Sequence, residues 1–202
     1  MSPSSLEEVG PSVLFVAAVD AELGELPGMA VGVGVVRAAA TMARHLALYS
    51  PKAVVLVGSC GVYGDAFEVG TAVVARRMGL ADGGTALGLA YSPLAPAPLS
   101  ADAVLVHALD APHADVLTVG AISTDPALVS AFGAAWHVEH LECFGVAWAC
   151  AEAQVPFAAV LGIANRVGPT AHVEWKVNRG AAEAAAREEA GRIVSVRPPL
   201  AG

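Results

Sequence analysis

Short apolar runs alternate with longer helix-like segments along the whole chain, and this alternation limits the fold more than any other feature. VLFVAAV (13–19) and AVVLV (53–57) are continuous and brief, as strands covered on both faces are. A weaker strand, MAVGVG (29–34), precedes the alanine-rich helix VVRAAATMARHLALY (35–49), and GTAVVARRM (70–78) follows as another strand-like run. Residues 79–101 break the pattern with glycine and proline, which marks a loop able to face a partner. Regular structure resumes over 101–109, with a strand over 114–122 and a helix over 125–133 that Asp125 caps and Pro126 opens. An amphipathic helix over 142–154, a buried strand in 156–168 and a last helix over 174–193 complete the series, before a short proline-containing tail. Alternating elements of this kind predict one α/β domain over 1–202, a sandwich with a central sheet.

Composition excludes several classes of function. A net charge of −8, with only 11 Lys plus Arg and no basic cluster, argues against a nucleic-acid surface. The longest apolar run, VPFAAVLGIA (155–164), is far short of the roughly 20 residues a membrane span needs. No basic, apolar leader pattern opens the chain, so the expectation is a cytoplasmic protein. Cys60, Cys143 and Cys150 form no C-x-x-C pair and read as reduced core thiols. The histidines never form H-x-x-x-H, so neither metal nor cofactor is expected.

Ligands in α/β folds gather at the carboxyl ends of strands. Polar residues interrupt the apolar runs there at Asp20 and Glu22, at Ser59, and at Asn165. Each admits two readings. Glu22 is either an acid favoured at a helix N-terminus or a general base projecting from a strand end. Ser59, in VGSCG with Gly58 and Gly61, reads as part of a glycine turn whose amides could cradle an anion. Glu139 and Glu142 either cap a helix or accept hydrogen bonds from vicinal hydroxyls, as on a ribose. Asn165 is either a turn residue or a paired donor and acceptor matching the edge of a 6-oxopurine.

The ordered set VAAVDAEL, VGVGVVRAAA, VGSCG with FEVGTAVVA, and VEHLECFGVAWACAEAQVPFAAVLGIAN resembles the purine nucleoside phosphorylase and methylthioadenosine nucleosidase superfamily over residues 13 to 190. The resemblance implies a three-layer sandwich with a central mixed β-sheet flanked by helices. It also implies a nucleosidase working on a small-molecule nucleoside, and a homo-oligomer, most simply a dimer. By resemblance, Glu22 activates the attacking water, Glu142 binds the ribose hydroxyls beside Leu141, and Asn165 recognises the purine. Gly58 and Ser59 hold ribose or water, and Ser123 and Thr124 border the base. VEHLE, IAN and the VGP turn with Trp175 are similar to the futalosine hydrolase branch, which implies release of hypoxanthine from futalosine in menaquinone biosynthesis. Leu56 stands where the phosphorylases carry a phosphate-binding arginine, favouring water over phosphate as the acceptor. Cys143, Phe144 and Thr170 depart from the family pattern. A methylthioadenosine or S-adenosylhomocysteine nucleosidase, a phosphate-dependent phosphorylase and a non-catalytic nucleoside-binding protein are the alternatives.

Overall fold

A computed structural model describes residues 13–93 and 95–195; the N-terminal segment and the proline-containing tail lie outside them. In chain order the elements are β1 (Leu14–Ala17), α1 (Asp20–Leu23), β2 (Gly28–Ala30), α2 (Val35–Leu48), β3 (Val54–Val62) and β4 (Ala72–Leu80). There follow α3 (Gly83–Ala86), β5 (Leu99–Ser100), α4 (Ala103–His107), β6 (His113–Thr118), α5 (Pro126–Gly133), β7 (Val138–His140), α6 (Cys143–Glu152), β8 (Phe157–Arg166) and α7 (Ala171–Ser195). None of the described helices is long and apolar enough to cross a membrane.

The sheet is mixed. β1 pairs in parallel with β2 and β3, β3 with β8, and β6 with both β4 and β7; β3–β7, β4–β5 and β4–β8 are antiparallel. Following β3 to β8, β4, β6, β7 and back to β3 closes a ring, with β1–β2 and β5 attached outside it. Successive side chains of a strand point to opposite faces, and both faces here are covered. Leu14, Val16, Val54 and Leu56 pack with Met42 of α2 and Val146 and Cys150 of α6. Phe15, Val55, Val57 and Val160 pack with Ala186, Ala190 and Ile193 of α7. Helix, sheet and helix thus form the flanked sandwich that the alternation implies.

Two local expectations need correction. Ser59 is not in a turn: β3 runs unbroken to Val62, with only a register shift between Cys60 and Gly61. The chain turns later, where Gly64 takes φ 60°. Helix α6 is not amphipathic but buried almost all round, because it is clamped between the sheet and α2. Gly145 makes that clamp possible, since a side chain there would strike the Val35 carbonyl of α2. The three cysteines are free and buried, as core thiols are.

Candidate active site

The ends of β1, β3, β7 and β8 converge on a cavity of about 620 Å³. Its lining includes Glu22, Ser59, Leu141, Glu142 and Asn165, together with Glu139, His140, Trp175, Arg179 and Glu183. Among the described residues there is no cluster of three or more His, Cys, Asp or Glu side chains placed to hold a metal.

Glu22 sits in the single turn of α1, which the chain enters directly from β1. Its Oε2 accepts hydrogen bonds from the Ala18 and Val19 amides at 3.0 and 3.3 Å. Glu22 is thus a first-turn acid that is also buried against the cavity. Burial pushes its pKa up to about 7; the Glu183 and Glu142 charges add to the rise, while the Val19 and Ser59 amides oppose it. Among the described residues no cation pairs with its carboxylate. A carboxyl poised near neutrality beside a cavity can hold or release a proton under working conditions.

Gly58 does not line the cavity; it makes room for groups that do. A Cβ at this position would stand 3.3 Å from Glu22 Oε1 and 3.4 Å from His140 Nε2. Two residues on, the Ser59 hydroxyl accepts a hydrogen bond from Trp175 Nε1–H at 3.0 Å, tying β3 to α7. The hydroxyl proton of Ser59 remains free to donate.

The strand β7 and the start of α6 supply the second wall. Glu142 Oε1 accepts the Gly34 amide at 2.7 Å, across 108 residues of chain. Gly34, at φ 89°, presents that N–H from the turn before α2. Glu139 is also buried: Oε2 accepts the Tyr63 hydroxyl at 2.6 Å and Oε1 the Ser123 amide at 2.9 Å. Burial and the Glu139 charge push the Tyr63 phenol well above its ordinary range, so it stays a donor. Between the two glutamates lies His140, whose Nδ1 accepts the amides of Glu142 and Cys143, each at 3.1 Å. Burial pushes its pKa down. A ring nitrogen that accepts two N–H groups carries no proton, so the 3.3 Å approach of Glu142 Oε2 to Nδ1 is not an ion pair.

Asn165 closes the far end. Its Nδ2 donates to the Arg166 carbonyl at 2.9 Å, which leaves Oδ1 and one N–H for a ligand. Helix α7 crosses the opening with His172 stacked on Trp175 and the Arg179 guanidinium 4.8 Å from the same ring. Glu183, farther along this helix, has its pKa raised by burial, with Arg187 and Arg179 opposing. Of the residues assigned to the base, Thr124 is exposed and neither it nor Ser123 lines the cavity. Ser123 instead serves as a backbone donor to Glu139, and the neighbouring Ile122 reaches the cavity. Phe144 and Cys143 are both buried in the α6 core, and the Phe144 amide donates to Thr118 Oγ1. Thr170 lies outside the cavity and bonds Glu174 at 2.7 Å.

This arrangement of strands and helices has known counterparts. The chain aligns with the 5′-methylthioadenosine/S-adenosylhomocysteine nucleosidase of Neisseria meningitidis, solved with methylthio-immucillin-A, at TM-score 0.75 and 20% identity, covering 91% of this chain and 99% of that one. The S-adenosylhomocysteine nucleosidase of Streptococcus pyogenes aligns at TM-score 0.77 and 18% identity, over 92% and 97% of the two chains. The futalosine hydrolase of Helicobacter pylori aligns at TM-score 0.73 and 13% identity, over 91% and 95%. These likenesses establish a common fold. A comparison with curated protein sequences finds no match. The family model of the phosphorylase superfamily matches residues 26–196, spanning β3, β8 and β7 with its buried Glu139 and the buried Glu142 just after it, and the chain belongs to that superfamily.

Proposed function

We propose that the protein is a nucleosidase that hydrolyses the N-glycosidic bond of a 6-oxopurine nucleoside, futalosine first among them. The observation that carries this reading is Glu22, buried at the cavity with a pKa near 7 and, among the described residues, no cation beside its carboxylate. In the reaction the C1′–N9 bond breaks and its electron pair leaves with the purine. Positive charge develops on the sugar, whose hydroxyls Glu142 accepts and orients. Glu22 takes a proton from water as the water oxygen bonds C1′. Asn165 donates to the departing 6-oxopurine as its electron density rises. An asparagine cannot protonate a base, which favours a leaving group that is stable as an oxo tautomer over adenine.

Water rather than phosphate is the acceptor on charge grounds. A phosphate dianion in a buried site needs compensating cations. Leu56 is fully buried in the core on the α2 and α6 side of the sheet. Arg37 is exposed, folded against Gly32, and does not line the cavity. Arg179, the lone Arg or Lys among the lining residues, lies on Trp175 at the opening. The acidic lining suits an oxocarbenium ion, not an anion.

The structural neighbours that act on methylthioadenosine support a second reading, in which the same site takes an adenine nucleoside. Incubation with futalosine in phosphate-free buffer decides between them. Hypoxanthine release is expected. Release only from methylthioadenosine would overturn the substrate assignment, and strict phosphate dependence with a ribose-1-phosphate product would overturn hydrolysis. Purine binding without turnover, unaffected by Glu22→Gln, would point to a non-catalytic nucleoside-binding protein. We further propose a homo-oligomer, most simply a dimer, acting in the cytoplasm; light scattering at working concentration reads the subunit count.

A further inference from the structure

His140 is a buried, neutral side chain whose two ring nitrogens have opposite duties. Nδ1 accepts the Glu142 and Cys143 amides at the start of α6, so in the neutral ring the proton resides on Nε2. His140 is only 5% exposed, yet it lines the cavity, and no group among the described residues accepts a hydrogen bond from its Nε2–H. An N–H that opens on the cavity and has no protein acceptor is available to a ligand there.

Gly58 brings the two groups together. A Cβ there would crowd Glu22 Oε1 at 3.3 Å and His140 Nε2 at 3.4 Å, so both side chains close over the same stretch of bare backbone. Where they line the cavity, they offer it a carboxylate acceptor and an N–H donor side by side. Water is a ligand that complements both. It donates one proton to Glu22 and accepts from His140 through one lone pair, which leaves the other lone pair to attack.

We propose that His140 positions the nucleophilic water, its Nε2–H and the Glu22 carboxylate together holding one molecule at the cavity wall. This rests on the nucleosidase reading above. In the step the water oxygen bonds C1′, Glu22 receives the proton, and His140 keeps its own. Its contribution is directional, setting which lone pair faces the sugar.

Two substitutions separate this role from a structural one. His140→Asn places an acceptor oxygen near the Nδ1 position, retaining the start of α6, but has nothing at Nε2. His140→Gln places an N–H near Nε2. The expected result is a kcat reduced at least tenfold in H140N with KM changed less than threefold and Tm preserved. H140Q is expected to recover much of the lost rate. The pH at which activity falls on the acid side should not move, since a neutral His140 does not titrate there. Wild-type rate in H140N would overturn the proposal, as would equal losses of rate and Tm in both variants. Failure of the unsubstituted protein to hydrolyse futalosine, inosine or methylthioadenosine would overturn the nucleosidase reading itself, and the proposal with it.

Discussion

The cavity and the start of β6 both bury carboxylates, and they treat them in opposite ways. Asp115 on β6 is fastened to Arg76 by two hydrogen bonds of 3.0 and 2.9 Å and lies 3.0 Å from Arg77. Glu189 of α7, nearby, accepts the Asp110 and Ala111 amides and the Arg192 guanidinium. Glu22, Glu139 and Glu142 in the cavity accept amides and a phenol but no guanidinium. Paired carboxylates fasten elements together; an unpaired one remains available to a proton or a cation. The difference separates the architecture of this chain from its chemistry.

Substitutions can break that contrast. The largest expected effect is Glu22→Gln, which should lower nucleoside hydrolysis about 10³-fold by removing the general base, read as kcat on futalosine. The same change should raise Tm at pH 8. A carboxyl whose folded pKa lies near 7, above its unfolded value of 4.5, is stabilising only while protonated and loses that advantage as pH rises. The variant should therefore gain roughly 5 °C at pH 8 and nothing at pH 4, as measured by calorimetry. A fall in Tm at pH 8 would contradict the desolvated state of Glu22. Second in size, Glu142→Gln should reduce kcat/KM about 10²-fold with little change in fold, since one amide hydrogen bond is all the described structure asks of it.

The pH profile is the third test. With Glu22 as the base, kcat/KM should decline as pH falls through about 7, tenfold per unit below it, and Glu22→Gln should abolish that limb. Smallest is Asp115→Asn, which weakens a pair whose arginines are largely exposed. It should cost about 1–2 kcal/mol, a Tm drop of several degrees, and leave hydrolysis unchanged. A loss of activity there with Tm intact would erase the distinction between the two regions.

Most of the architecture was legible because the apolar runs are short, continuous and sharply bounded. Glu22, Ser59 and Asn165 could be found as polar residues interrupting those runs, and Glu142 by its place in a resembling motif. His140 was not found, since nothing local distinguishes a histidine whose Nδ1 accepts backbone amides from one facing solvent. Trp175 was legible only through a resembling motif, and Arg179 and Glu183 stand in the last helix with nothing local to mark them. The crossing of α7 over the cavity gives all three their place. Ser59 looked like a turn because glycines surround it, yet they serve close approach instead: Gly58 admits Glu22 and His140, and Gly61 leaves space for Asn165. Glycine alone does not say whether a chain bends or is crowded.

The closed ring of strands also dictates when this protein can exist during its synthesis. Among the described residues β8 is the last strand made, and it enters between β3 and β4, sealing a gap whose first border was translated about a hundred residues earlier. Until Arg166 has left the ribosome, two strand edges stand unsatisfied and the cavity lacks its Asn165 end. A chain stopped short of that point presents sticky edges rather than a partial enzyme, and long-range closure of this kind is slow. Helix α7 then lies on the finished strand, where Gly162 offers no side chain to hold it off. Truncation from the C-terminus should therefore yield aggregates, not weakened catalysts.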